Sequence, residues 1–446
     1  MSYNVSFISL GCAKNQVNCE QMMALCAEAG YSIQAQPEGC DVVVVNTCGF
    51  LASACEEAIE NILEMAELKK AGQVKKILVT GCMTQRYKED IFHELPEVDG
   101  LLGTGSYGDI ATAIAEVMEK GEKPCHLGNI HTANQSGERI LSTPPWYAYL
   151  RIAEGCDNHC AYCVIPSLRG KYRSRPMNEL LDEAAELASA GVKELIVIAQ
   201  DITKYGMDLP EHKRLLPELL RELCKMDFTW IRLHYLYPDQ ITDELIDVIA
   251  DEPKIVKYLD IPLQHVSKRI LRAMHRPGDG AEFTRLIEDM RERIPGLVLR
   301  TSLIVGLPGE TEDEFAELCE FLQNVGIERV GVFEYSPEEG TEAAELPDQI
   351  DNETKQNRRL IVEELQSGVL DDYNTSRHGE VMQVLCEGFD EEQGLWYGRT
   401  YEDSVEVDGH VYFDAADNEP AEGEFVSVLI TESLGPDLLG VRQKEA

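Results

Sequence analysis

The chain has 446 residues, 44% of them hydrophobic, and its 80 acidic and 40 basic residues give a formal net charge of −40. That length exceeds one ordinary hydrophobic core, so two or three domains are expected. No apolar run reaches the roughly 18 residues of a membrane span, and a field this negative opposes polyanions such as nucleic acid and favours basic partners. The opening "MSYNVSFISLGC" lacks a basic stretch followed by a long apolar one, so no secretion signal is expected. Fourteen cysteines then read as thiols kept reduced in the cytoplasm for metal or catalysis, not as a disulfide frame.

Residues 1–135 alternate β-branched runs with helical stretches. "NVSFISLGC" ends in Cys12, "DVVVVNTC" in Cys48 and "KKILVTGC" in Cys82, and "NCEQMMALCAEAG" and "ASACEEAIENILEMAELKK" between them carry helical periodicity. Strands alternating with helices imply a doubly wound parallel sheet. Parallel strands end on one edge, which is where open α/β sheets place their sites, so one small ligand could collect Cys12, Cys48 and Cys82. The ordinary role of a free cysteine is that of a small buried apolar residue, and Cys19, Cys26, Cys55 and Cys224 take that reading.

The stretch "SGERILSTPPW" reads as a linker inside a second segment, residues 136–373. Six strands are predicted here, in "YLRIAEG", "ELIVIAQD", "WIRLHYL", "YLDIPLQ", "VLRTSLIVG" and "RVGVFEYS", separated by helices. Thr311 and Glu314 have capping-box spacing and mark a helix start after "GLPGE". Six β/α units imply a partial barrel instead of a complete eight-stranded one, with the chemistry at its strand ends. Immediately after the first strand comes "EGCDNHCAYCVIPSLRG", with Cys156, Cys160 and Cys163 in C-x-x-x-C-x-x-C spacing.

Residues 374–446 change character. "VMQVLCEGF", "LWYGRTY", "VEVDGHVYF" and "EFVSVLI" read as strands of a small antiparallel barrel, with Asp408-Gly409 as a two-residue hairpin turn. Small barrels often bind nucleic acid, but residues 377–446 hold 17 Asp or Glu and only four Lys or Arg. Phosphate contacts need Lys and Arg, so an acidic barrel suits a basic protein.

Three thiols are one short of a closed tetrahedral zinc site. On a cubane iron–sulfur cluster, which normally takes four thiolates, they leave one iron with an exchangeable position. His159 is an unfavourable fourth ligand, since its side chain would have to fold back over the site.

The cysteine motif after the first barrel strand resembles that of the radical S-adenosylmethionine superfamily. "SLGCAKNQVNCE", "NTCGF" and "TGCMTQRY", with "EGCDNHCAYCVIPSLRG", "AQDITKYG" and "IVGLPGET", look like the two modules of its methylthiotransferase family. The last segment is similar to that family's TRAM domain. "IPSLRG", "AQDITKYG" and "SLGCAKNQVN" are most like the branch acting on an aspartate β-carbon of ribosomal small-subunit protein S12, rather than the sister branch acting on adenosine of transfer RNA.

The resemblance implies two [4Fe-4S] clusters, one on Cys156, Cys160 and Cys163 and one on Cys12, Cys48 and Cys82. The first binds S-adenosylmethionine at its open iron and generates a 5′-deoxyadenosyl radical; the second holds the sulfur to be transferred, supplied as sulfide or persulfide. One S-adenosylmethionine methylates that sulfur, a second supplies the radical, and an external donor provides electrons. The cofactors carry the hard chemistry and the protein orients them. Strand-end candidates for S-adenosylmethionine are Gln200 for a ribose hydroxyl, Arg300 for the carboxylate, Gln264, Gly306 and, near the adenine, Phe333. Asp201 reads as a cap, and His234 and His265 as packing residues.

Two alternatives remain. One is the transfer-RNA sister enzyme, with Arg169, Lys171, Arg173 and Arg175 as a basic channel; the other is a non-catalytic iron–sulfur interaction protein.

Overall fold

The computed structural model describes residues 2–133, 136–415 and 418–443. Its first sheet is entirely parallel and has six strands: β1 (Asn4–Ser9), β2 (Ser32–Gln34), β3 (Val42–Thr47), β4 (Lys76–Gly81), β5 (Gly100–Gly105) and β6 (Cys125–Gly128), in the order β2-β1-β3-β4-β5-β6. β3 is buried at every position, which is why "VVVV" lacks the alternation of a half-exposed strand. The helices Ala13–Glu28 and Ala52–Lys70 are among those connecting the strands. β3 pairs with β1 on one side and with β4 on the other. Their carboxyl ends therefore lie side by side, and each is followed by one of the three cysteines. β2, β5 and β6 lack the strong β-branched signal of the three strands read from the sequence.

The second sheet is also parallel and six-stranded: β7 (Tyr147–Arg151), then β10 (Glu194–Ile198), β11 (Trp230–Leu233), β12 (Ile255–Asp260), β13 (Val298–Val305) and β14 (Arg329–Glu334), ordered β14-β13-β12-β11-β10-β7. It is an open, partial barrel. Between β7 and β10 a short ribbon, β8 (Ala153–Glu154) against β9 (Arg173–Ser174), pinches the base of the three-cysteine loop. Thr311 and Glu314 form the expected capping box at the start of the Glu312–Val325 helix.

The 25-residue helix Asn352–Ser376 leads to a closed five-stranded barrel of β15 (Val381–Asp390), β16 (Leu395–Arg399), β17 (Val411–Asp414), β18 (Phe425–Leu434) and β19 (Asp437–Arg442). One seam, β17 with β19, is parallel. Asp408-Gly409 is not the expected hairpin turn: it precedes β17 in an irregular segment. The Asp408 carboxylate is taken instead by the backbone N–H of Ser404 at 2.8 Å and the Tyr258 hydroxyl at 2.6 Å. No helix among the described residues is long and apolar enough to cross a membrane.

The barrel is fastened to the central sheet by buried charge. Glu194, wholly buried on β10, receives Arg232 at 2.6 Å and Arg399 of β16 at 2.7 Å, and Arg399 also bonds Glu387 at 2.9 Å. Burial opposes ionisation of Glu194, but the two guanidiniums outweigh it and hold its carboxyl down to about 2. Removing one partner of such a pair costs about 3–5 kcal/mol, because the other charge is stranded. Arg399→Met is therefore expected to lower the thermal midpoint well below that of Arg293→Met, whose target is a partly exposed ion-pair residue at the surface. Thermal unfolding of both variants, followed by circular dichroism, checks this.

Candidate active site

The amino-terminal triplet is drawn together by close backbone approach. Gly11 has φ +88°, and a Cβ there would stand 2.7 Å from the Cβ of Cys48. Gly81 has φ +104°, and a Cβ there would stand 2.3 Å from the Thr47 carbonyl oxygen. Only glycine allows both this conformation and this contact. Asn15 ties the first two loops and touches the third: its Nδ2 donates to the carbonyls of Leu10 at 3.0 Å and Thr47 at 2.9 Å, its backbone carbonyl accepts from Asn46 at 2.8 Å, and its Oδ1 lies 3.9 Å from Cys82 Sγ. Burial pushes the Cys48 thiol up to about 12 and raises that of Cys82. At Cys12 burial acts the same way but is outweighed by Lys14, Arg169 and backbone N–H groups, so that thiol is lowered.

The second triplet lies on the loop after β7. Burial pushes Cys156 up to about 11 and Cys163 to about 12. Cys160 Sγ is 2.9 Å from the Tyr237 hydroxyl and 3.7 Å from Arg276. Arg276 is anchored by the Pro262 carbonyl at 2.6 Å and lies against the Tyr237 ring.

Between the triplets stands a carboxylate hub. Glu154, two residues before Cys156, accepts from Arg151 and Arg169, each at 3.0 Å, and from Gln200 at 2.7 Å. Burial opposes its ionisation, but Arg169 and Arg151, with Gln200, hold its carboxyl down to about 2. Arg169 also reaches across the domain boundary, donating to Asn18 at 3.0 Å, to Asn15, and to Cys82 Sγ at 3.4 Å.

All six cysteines line one cavity of about 370 Å³. Gln200, Gln264 and Arg300 share its wall, as do His159 and His234. Arg300 is already paired with Asp260 at 3.0 Å. His234, read from sequence as packing, has its protonation pushed down to about 4 by burial and bonds Ser404 of the carboxyl-terminal segment at 3.1 Å. Ser404 and Val407 complete the wall from that segment. Gly306 and Phe333 do not line the cavity. Gly306 abuts Lys355, and Phe333 is 47% exposed on β14. Asp201 caps its loop by accepting from the Thr203 N–H at 3.0 Å, and His265 is buried beside Glu310.

Sequence reasoning passed over Lys14, Tyr235, Tyr237 and Arg276, which also line the cavity. Backbone strain marks the place in the structure. His159, Tyr235 and Gln264 are non-glycine residues at φ +49°, +67° and +71°, and such residues concentrate at functional sites. The run Arg169, Lys171, Arg173, Arg175 is not an open basic channel: Arg169 and Arg175 are buried, and Arg175 pairs with Glu183 at 2.6 Å.

The donor set fits iron–sulfur clusters better than a lone ion. Among the described residues no three His, Cys, Asp or Glu side chains converge tightly enough to hold a single metal, whereas zinc needs its sulfurs about 2.3 Å from one point. Thiols spread around a cavity suit clusters, in which several irons share the thiolates. Cluster loading on these thiols would release protons, since thiolates are the ligands.

Comparison with known proteins is consistent with this geometry. Residues 150–322 match the Radical SAM superfamily, residues 4–103 the Uncharacterized protein family UPF0004, and residues 379–442 the TRAM domain. The ribosomal protein uS12 methylthiotransferase RimO of Lachnoclostridium phytofermentans is 47% identical over 441 residues, 98% of this chain and 100% of that relative. RimO of Caldanaerobacter subterraneus subsp. tengcongensis is 48% identical over 439 residues, covering 98% and 99%. The chain belongs to the RimO family of ribosomal protein uS12 methylthiotransferases. It is thus a radical S-adenosylmethionine methylthiotransferase.

Solved structures share the RimO-family fold at low identity. The radical S-adenosylmethionine methyltransferase TsrM of Kitasatospora setae superposes with a TM-score of 0.56 at 14% identity, covering 75% of both chains. The cobalamin-dependent enzyme OxsB gives 0.53 at 12%, covering 82% of this chain and 62% of that one.

Within this RimO-family site, Arg169→Met leaves Glu154 with only Arg151 and Gln200 and removes at once the buried bonds to Asn15, Asn18 and Cys82 across the domain boundary. A loss of about 3–5 kcal/mol is expected, against about 0.5 kcal/mol or less for exposed Lys171→Met. Denaturant unfolding of the two variants in parallel measures the difference.

Proposed function

We propose that this protein methylthiolates the β-carbon of an aspartate in ribosomal protein S12. In this reading it uses two [4Fe-4S] clusters, held by Cys12, Cys48 and Cys82 and by Cys156, Cys160 and Cys163, and two molecules of S-adenosylmethionine per turnover. One observation carries the reading: two triplets of thiols from separate sheets line a single chamber. Groups bound to the two sets would then share one reaction volume, as transfer between them requires. When bound, the clusters supply radical generation and the sulfur; the chain's residues orient the reactants and exclude water.

Gln200, Gln264 and Arg300 are the proposed polar contacts to S-adenosylmethionine, and Tyr237 and Arg276 fix the Cys160 sulfur by hydrogen bonds. The sulfur arrives as sulfide or persulfide, an external donor supplies electrons, and the cytoplasm is the proposed place of action. The acidic carboxyl-terminal segment, with 17 carboxylates against four Lys or Arg over residues 377–446, favours a basic protein substrate over a polyanion. The burial of Arg169 and Arg175 weighs in the same direction.

The test is anaerobic reconstitution followed by iron and acid-labile sulfide analysis. Wild type is expected to hold about twice the iron of a variant with Cys12, Cys48 and Cys82 all changed to Ala. With reductant, sulfide and S-adenosylmethionine, S12 is expected to gain a methylthio mass and transfer RNA none. The converse result would move the enzyme to the sister branch.

A further inference from the structure

Four Lys and Arg side chains line the chamber, and three have evident partners. Arg169 serves Glu154, Arg300 serves Asp260, and Arg276 serves the Pro262 carbonyl and the Tyr237 hydroxyl. The fourth, Lys14, is only 7% exposed and stands beside the Cys12 loop. Its ammonium lies 3.4 Å from the centre of the Tyr235 ring, and no carboxylate among the described residues forms an ion pair with it.

A buried cation costs free energy unless it is paired, and a ring face compensates only part of that cost. Tyr235 is itself held at φ +67° by fixed bonds: its N–H donates to Asp260 at 3.2 Å, and its carbonyl accepts from Ile202 at 3.1 Å. Strain and a buried cation without a carboxylate partner therefore meet at one point, on a contact that joins the amino-terminal helix to the end of β11. Such an arrangement is suited to a ligand that brings its own negative charge.

We propose that Lys14, seated on Tyr235, is the subsite that receives the carboxylate of the substrate's aspartate side chain. This rests on the function proposed above. The carboxylate carbon is bonded directly to the β-carbon, so anchoring one fixes the other between the two cysteine triplets. A neutral adenine would leave the ammonium unpaired, so the subsite also selects an acidic side chain. S-adenosylmethionine carries a carboxylate too, and the experiment must separate the two sources.

Lys14→Met and Lys14→Arg are reconstituted beside wild type. Iron content, 5′-deoxyadenosine formed without peptide, and methylthio product are measured on S12 peptides bearing Asp or Asn at the target. Lys14→Met is expected to keep wild-type iron and peptide-independent cleavage of S-adenosylmethionine, yet to lose about 30-fold or more in product from the Asp peptide. Its preference for Asp over Asn should collapse, and Lys14→Arg should restore part of both. Loss of iron would make Lys14 a charge-balancing neighbour of Cys12, and a raised KM for S-adenosylmethionine in the cleavage assay would assign the carboxylate to that cofactor. Either result, or an intact Asp preference in Lys14→Met, overturns the proposal. Modification of transfer RNA but not S12 by wild type would instead overturn the function on which it rests.

Discussion

The chamber depends on one buried ion pair, Glu154 with Arg169. Glu154 stands two residues before the first cysteine of the loop, and Arg169 six residues after the last, so the pair closes the loop that carries all three thiols. Arg169 then continues across the domain boundary to Asn15, Asn18 and Cys82. One guanidinium thus fixes the distance between loops of two independently formed sheets. A guanidinium does this where an ammonium would not, because its planar array of five N–H groups serves several acceptors in set directions.

The same economy explains how a protein with a net charge of −40 keeps cations around its reaction site. Arg151, Arg169, Arg276, Arg300 and Lys14 are drawn inward, and the acidic excess is left largely at the surface. A thiolate-bound cluster would be anionic, and Arg169 at Cys82 and Arg276 at Cys160 stand at hydrogen-bond distance to offset that charge where water cannot. The long-range field, set by the surface, suits a basic partner, while the local field in the chamber suits anions.

Much of this was legible in the sequence because strands advertise themselves by composition. "DVVVVNTC" and "KKILVTGC" gave both the strand and the cysteine at its end, and parallel order implied that such ends converge. The six central strands and the capping box at Thr311 were legible for the same reason. What stayed hidden was whatever long-range contact decides. Arg169 sits in a basic run that reads as an open channel, yet it is buried against a carboxylate fifteen positions earlier. His234 reads as a packing histidine because nothing local announces its bond to Ser404, 170 residues away. Asp408-Gly409 carries a strong hairpin signal that a distant tyrosine overrides. Phe333 follows two strand valines that pack on the core, but on the edge strand β14 it takes the opposite face and is left half in solvent.

The wall contributed by Ser404 and Val407 has a consequence for biogenesis. Translation delivers the two cysteine-bearing sheets well before the residues that finish the enclosure. For that interval the chamber lacks one side, and its lining is complete only once the carboxyl-terminal segment has docked against the central sheet.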